Sequence, residues 1–160
     1  MEITTKSLQA LHGNKVRVRV CGIHVVDKKI LLVKHKGLGP QGILWAPPGG
    51  GIEFAETLST GLRREMWEET GLKVVKEEFL FIHEFINEPL HAIELFFKVE
   101  TTDNKILLGF DPEYDEQMIS DVKYFGEEEI FGDDPSMFHQ IFKITSCFNE
   151  ILALKGIVNG

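Results

Sequence analysis

The chain opens its regular patterning with an alternation. Between Val16 and Val26, Val16, Val18 and Val20 fall on one phase and Arg17 and Arg19 on the other, which is the period of a strand. Asp27-Lys28-Lys29 forms a polar turn, and Ile30 to Val33 returns as a second strand. Gly37-Leu38-Gly39-Pro40-Gln41-Gly42 is a loop by its punctuating residues. Ile43 to Ala46 is a short apolar segment, stopped by Pro47-Pro48-Gly49-Gly50-Gly51. A helix is predicted from about Thr57 to Thr70, with Thr57 as N-cap and Gly71 in the left-handed position that ends it. Phe79 to Ile86 and His91 to Glu100 read as two strands around a turn holding Asn87-Glu88-Pro89. Asp111 to Ser120 is an acidic loop, and Val122 to Phe125 a last short strand. Ser136 to Leu154 has the length of a terminal helix, started by Asp133-Asp134-Pro135 and stopped by Lys155-Gly156. Strands with one central and one terminal helix predict an α+β fold rather than a regular βαβ series.

The composition allows a packed core. The 160 residues are 43% hydrophobic and 26% charged, without repeats or low-complexity tracts, so a single domain over residues 1–160 is expected. Seventeen basic against 25 acidic residues give a formal net charge of -8. No basic footprint exists for a nucleic acid. A phosphorylated small molecule can still bind an acidic protein through divalent cations. The longest aliphatic run, Ile30-Leu31-Leu32-Val33, is far short of a membrane span. The start, Met1 to Lys6, lacks the apolar stretch of a signal peptide. Cys21 and Cys147 form no C-x-x-C pair, which fits a reducing cytoplasm and gives no thiolate metal site.

The chemistry concentrates in the central helix. Glu65, Glu68 and Glu69 stand at i, i+3 and i+4, so their side chains share a face and repel one another. A solvated acidic face is one reading of such a trio. The helical phase argues against it. Glu65 follows Leu58 by seven residues and Glu69 follows Leu62 by seven, so the acids continue the stripe that the leucines begin. If the leucines face the core, Glu65 and Glu69 face inward and need partners. Arg64 is one candidate and a hard divalent cation the other.

The wider spacing decides. Gly50, Glu56, Arg64, Glu65, Glu68, Glu69 and Gly71 fill the pattern G-x5-E-x7-R-E-U-x-E-E-x-G-U, where U is bulky and apolar. Seven fixed residue types coincide by chance at on the order of one in ten million starting points. The segment Gly50 to Leu72 resembles the signature of the Nudix hydrolases, with every fixed position filled. The resemblance implies the Nudix fold, an α/β/α sandwich around a mixed β-sheet. It also implies Mg²⁺- or Mn²⁺-dependent hydrolysis of a nucleoside diphosphate linked to another group. By the same resemblance, Glu65, Glu68 and Glu69 match the metal-binding glutamates. Arg64 and Glu56 match the pair that holds the helix in position, and the Gly49 carbonyl matches a backbone metal ligand. Glu53 belongs to the common P-G-G-x-x-E extension, as a ligand or just behind the ligands. Gly61 stands where alanine is usual, at a helix-propensity cost of up to about 1 kcal/mol. Family members often draw a general base from a loop after the hairpin; of Asp111, Glu113, Asp115 and Glu116, Glu116 precedes the last strand at about the expected separation, against a reading as a solvated loop charge.

Outside the signature, Arg19 and Lys34 are candidate phosphate contacts among the strand cations Arg17, Arg19, Lys34 and Lys36, against a reading of all four as solvent-facing. His83 and His91 read as structural histidines, and Trp67 as packing, because it lies opposite the acids. Phe79, Phe81, Phe96 and Phe97 are expected in the core, and Phe138, Phe142 and Phe148 in the core or at a homodimer surface. The competing functional class is a Nudix-like regulatory domain that senses a nucleotide without cleaving it. Such domains typically lose a glutamate of the R-E-x-x-E-E segment, and all are retained here. No S-Q-P-W-P-F-P-x-S segment follows the signature, which speaks against the NADH-type subgroup; an ADP-ribose or nucleotide-sugar substrate and a nucleoside triphosphate stay open.

Overall fold

A computed structural model describes residues 5–109, 119–132 and 134–159. The elements run α1 (Thr5–His12), β1 (Val16–Ile23), β2 (Val25–Val26), β3 (Lys29–Lys36), β4 (Ile43–Ala46), β5 (Gly49–Gly51), α2 (Leu58–Thr70), β6 (Val74–Asn87), β7 (Leu90–Thr101), β8 (Ile119–Gly126), α3 (Glu127–Phe131), α4 (Phe148–Ala153) and β9 (Gly156–Asn159). One sheet has the order β5-β1-β7-β6-β9; in the other, β3 pairs β2, β4 and β8. The first is mixed, with β1 parallel to β7 and β6 antiparallel to it. The expected strand from Val16 to Val26 is thus two strands, split at His24 and serving different sheets. Asp27 and Lys28 both take positive φ, 50° and 61°, as a two-residue hairpin turn demands.

Two apolar clusters form the core. Val20, Leu31, Leu62, Met66, Leu72, Val74, Phe97 and Val99 pack under α2. Cys21, Ile30, Phe81, Phe96, Phe142, Phe148 and Ile151 join the C-terminal segment to the sheets. The expected terminal helix from Ser136 to Leu154 is not formed. The segment makes 3₁₀ turns at Pro135–Met137 and Gln140–Phe142, then α4. Local side chains compete there for backbone groups. His139 accepts from the Ile141 N–H, Thr145 donates to the Ile141 carbonyl, and Glu150 accepts from the Ser146 N–H. Phe138, Phe142 and Phe148 are nonetheless buried. Of the strand aromatics, Phe79 is an exception, half exposed against the edge of Phe97. Helix α1 had no apolar periodicity to announce it: Leu8 is buried but Leu11 is exposed.

Helix α2 follows its sequence signals. The Thr57 side chain accepts from the Thr60 N–H at 3.1 Å, and Gly71 closes the helix at φ 70° with its N–H on the Trp67 carbonyl. Ala55, in the loop before it, has φ 64°, a region that costs a Cβ-bearing residue about 1–2 kcal/mol. Ala55→Gly relieves this while adding unfolded-state freedom, so stability is expected to rise by up to about 1 kcal/mol in denaturant unfolding. A fall in the midpoint would show the loop is not strained.

Candidate active site

The inward face of α2 carries Leu62, Glu65, Met66 and Glu69, all buried. Leu62 and Met66 enter the core, and the two acids turn toward β5. Leu58, at the first helical position, is 39% exposed, so the buried stripe begins one turn later than expected. Trp67 is also exposed rather than packed.

Strand β5 is three glycines, crowded at Gly49 by the backbone of β1 and at Gly50 by an acid of α2. A Cβ at Gly50 would lie 2.4–2.5 Å from the Glu65 carboxylate. The Gly49 N–H donates to Glu69 Oε2 at 3.0 Å. The Gly49 carbonyl accepts from Arg19 Nη2 at 3.3 Å. Gly49 thus ties β5 to α2 through its N–H and to Arg19 of β1 through its carbonyl.

Arg64 is the hub. Its Nε and Nη2 donate to the two oxygens of Glu56 at 2.7 and 2.9 Å. Its Nη1 donates to Glu65 at 2.8 Å and to Glu68 at 3.2 Å, and Nη2 also reaches the Gly51 carbonyl at 3.1 Å. Glu53 lies further out, 4.0 Å from Nε and largely exposed. The Arg64 hydrogen bond, opposed by partial burial, holds the Glu56 carboxyl below its ordinary value. Glu56 in turn pushes the guanidinium up. Gly61 has a use here: its missing Cβ would stand 3.0 Å from Glu56 Oε2 and 2.4 Å from Ile52 Cδ1. Arg63 points elsewhere, bonding the Val74 carbonyl and Glu77, so it does not offset the acids.

A cavity of about 50 Å³ adjoins Gly50, with Arg17, Arg19, His35, Phe85 and His91 among its walls. Burial, then Arg19, pushes His35 down to about 3, so it is neutral at pH 7. The arginines are half-buried and turned inward, not to solvent. Lys34 leaves this wall and sits 5.9 Å over the Trp45 ring; its neighbour His35 takes the inward phase. A larger hollow, about 520 Å³, lies at the β6–β7 turn beside Lys15, Glu88 and His91, and no acid of α2 lines it. Asp111, Glu113, Asp115 and Glu116 fall outside the described residues.

Two residues escaped sequence reasoning. Glu94 and His139 are buried, Glu94 at 2.9 Å from Arg19 and 2.8 Å from His139. A signal for Glu94 existed: Ala92, Glu94 and Phe96 share one strand phase, and an acid on an apolar phase implies a buried partner.

Comparison with known proteins places this geometry. The NUDIX domain model matches residues 14–144, and the chain belongs to that family. Phosphatase NudJ of Escherichia coli K12 is 36% identical over 66 residues, which is 41% of each protein. The human m7GpppN-mRNA hydrolase NUDT17 is 40% identical over 57 residues, 35% of this chain and 17% of the human protein. The aligned parts thus span well under half of these relatives. Among solved structures, a NUDIX hydrolase from Nitrosomonas europaea aligns at TM-score 0.64 and 26% identity, over 90% of this chain and 79% of that one. The MutT NUDIX hydrolase of Burkholderia pseudomallei aligns at TM-score 0.65 and 20% identity, over 82% and 95%. The α+β Nudix fold is thereby shown, with its mixed sheet and α2 beside β5. No helix among the described residues is long and apolar enough to cross a membrane.

Proposed function

We propose that this chain is a Mg²⁺- or Mn²⁺-dependent pyrophosphohydrolase that cleaves a phosphoanhydride in a nucleoside diphosphate linked to another group, of the ADP-ribose or nucleoside triphosphate type. The observation that carries the reading is the meeting of the acid helix with the glycine strand, where Glu65 and Glu68 share the Arg64 guanidinium and Glu69 accepts from the Gly49 N–H. The donor set fits the cation: three carboxylates and the Gly49 carbonyl are all hard oxygens, which Mg²⁺ and Mn²⁺ prefer. Arg64 meets Glu65 and Glu68, and it is already shared with Glu56. When bound, the divalent ion would supply Lewis-acid stabilisation of charge on the phosphoryl oxygens.

The chain's own residues supply position. Arg64, held by Glu56, fixes Glu65 and Glu68, and the Gly49 N–H holds Glu69, so the carboxylates need no rearrangement as charge develops. Arg19 is the proposed phosphate contact, and its position with Arg17 on the cavity wall beside Gly50 supports that reading; Lys34 lies over Trp45 instead. Water attacks phosphorus, the P–O bond to the leaving phosphate or nucleotide breaks, and a base takes the water proton. Glu116 is the proposed base. Glu116→Gln should lower kcat strongly with KM nearly unchanged; unaltered kinetics would remove it from the role.

The decisive experiment is a panel of ADP-ribose, nucleotide sugars and nucleoside triphosphates, with phosphate and mononucleotide release measured separately. Hydrolysis should cease in excess EDTA and return with Mn²⁺ or Mg²⁺. Full turnover under chelation would sink the mechanism. Binding without turnover of any of these would favour a nucleotide sensor.

A further inference from the structure

Behind the acid helix, four donors converge on one buried carboxylate. Glu94 Oε2 accepts from Arg19 Nη1 at 2.9 Å and faces the Cys21 thiol at 3.8 Å. Glu94 Oε1 meets His83 Nδ1 at 3.1 Å and His139 Nε2 at 2.8 Å. Glu94, His83 and His139 are at most 2% exposed. Burial raises the Cys21 thiol well above its usual value, with Glu94 adding to the effect, so it remains an S–H donor.

Two histidines and a glutamate with ligand atoms within 4.8 Å of one another invite a metal reading. The hydrogen bonds oppose it. The Ile141 N–H donates to His139 Nδ1 at 3.2 Å, so that nitrogen is an acceptor and the ring proton sits on Nε2. A metal on Nε2 would move the proton to Nδ1, against the Ile141 N–H. The cluster is thus a hydrogen-bonded unit centred on the Glu94 carboxylate, anchored on β6, β7 and the C-terminal segment.

Arg19 links it by hydrogen bonds to the strand that faces the acids. The path runs from Glu94 on β7, through Arg19 on β1, to the Gly49 carbonyl on β5, whose own N–H is held by Glu69. We propose that Arg19, braced by the Glu94–His83–His139 unit, is a positioning residue that sets the Gly49 peptide so that its carbonyl completes the cation site. This rests on the metal-dependent reading above. The charge of Arg19 is compensated by Glu94 within hydrogen-bond distance, so its effect on a neighbouring cation is orientation rather than repulsion.

Electron paramagnetic resonance of free Mn²⁺, titrated with the full chain, tests this. Arg19→Gln should weaken Mn²⁺ binding about tenfold, the order of loss seen when a ligand's supporting group is removed. Charge repulsion alone predicts the opposite sign, since a cation beside the acids is lost. Glu94→Gln should weaken binding similarly, and the double variant Arg19→Gln/Glu94→Gln no more than either single, because the two act as one unit. If the singles fail to fold, the double variant, which removes the charge pair together, and Arg19→Lys, which keeps a cation but not the fork, carry the comparison; both should bind Mn²⁺ more weakly than wild type. Unchanged or tighter Mn²⁺ binding in the folded Arg19 variants overturns the proposal. So does stoichiometric Zn²⁺ uptake by wild type that His139→Asn abolishes. Glu69→Gln serves as control: if it too binds Mn²⁺ like wild type, the metal-dependent reading itself fails.

Discussion

Glu69→Gln is expected to cut turnover by at least a hundredfold while the protein stays folded, the scale of loss when one preorganised charge is removed from a site. The side chain is fully buried, with Oε2 on the Gly49 N–H. The amide oxygen of glutamine can accept that same hydrogen bond, so the tie between α2 and β5 survives. What disappears is a negative charge beside Glu65 and Glu68, whose own charges are met by the Arg64 guanidinium. Substrate hydrolysis measured across an Mn²⁺ titration, alongside thermal unfolding, separates the two effects. The melting temperature should move by a few degrees at most, and excess Mn²⁺ should recover only part of the rate. Near-normal turnover at saturating Mn²⁺ would show that Glu69 is not among the groups that hold the cation.

The inward turn of Glu69 was legible from sequence, and the reason is periodicity. Seven residues is nearly two helical turns, so an acid seven positions after Leu62 shares its buried face, whatever the tertiary structure. The caps at Thr57 and Gly71 were equally local. The failures have a common cause in long-range partners. Arg17 and Arg19 alternate as a strand should, but which phase faces inward depends on Glu94, 75 residues away from Arg19. The C-terminal segment had helical length and aromatic content, yet His139 caps the Ile141 amide and lies against Glu94. A regular helix would have to give up that local bond. Trp67 was assigned to packing by elimination from the acidic face, but a helix against one sheet has an outer face as well as flanks, and the indole lies there.

The second large effect is expected at Arg64, where one guanidinium serves four groups. Arg64→Ala removes the donors to Glu56, Glu65, Glu68 and the Gly51 carbonyl together. Glu65 and Glu56 cannot simply turn to water: their side chains are 7% and 9% exposed. Removing one partner of a buried charge pair costs about 3 kcal/mol, which in a chain this long lowers the melting temperature by roughly 10 °C. The rate should fall as well, because the acids lose their fixed rotamers. Arg64→Lys should fall between, since an ammonium keeps the charge but cannot fork to both oxygens of Glu56 while reaching Glu65. Acidity gives an independent check. The folded-state value of Glu56 is depressed from 4.5, chiefly by its hydrogen bond from Arg64. A depressed carboxyl stabilises the fold above its unfolded value, and that share is lost as the pH falls below about 4.5. In Arg64→Ala this contribution is absent, so the variant's stability should decline less steeply between neutral pH and the acid range. Added Mn²⁺ should restore part of its melting temperature, because a cation replaces the missing charge among the acids. A variant that melts like wild type, with the same slope against pH and no response to Mn²⁺, would show that Arg64 is not what holds these carboxylates together.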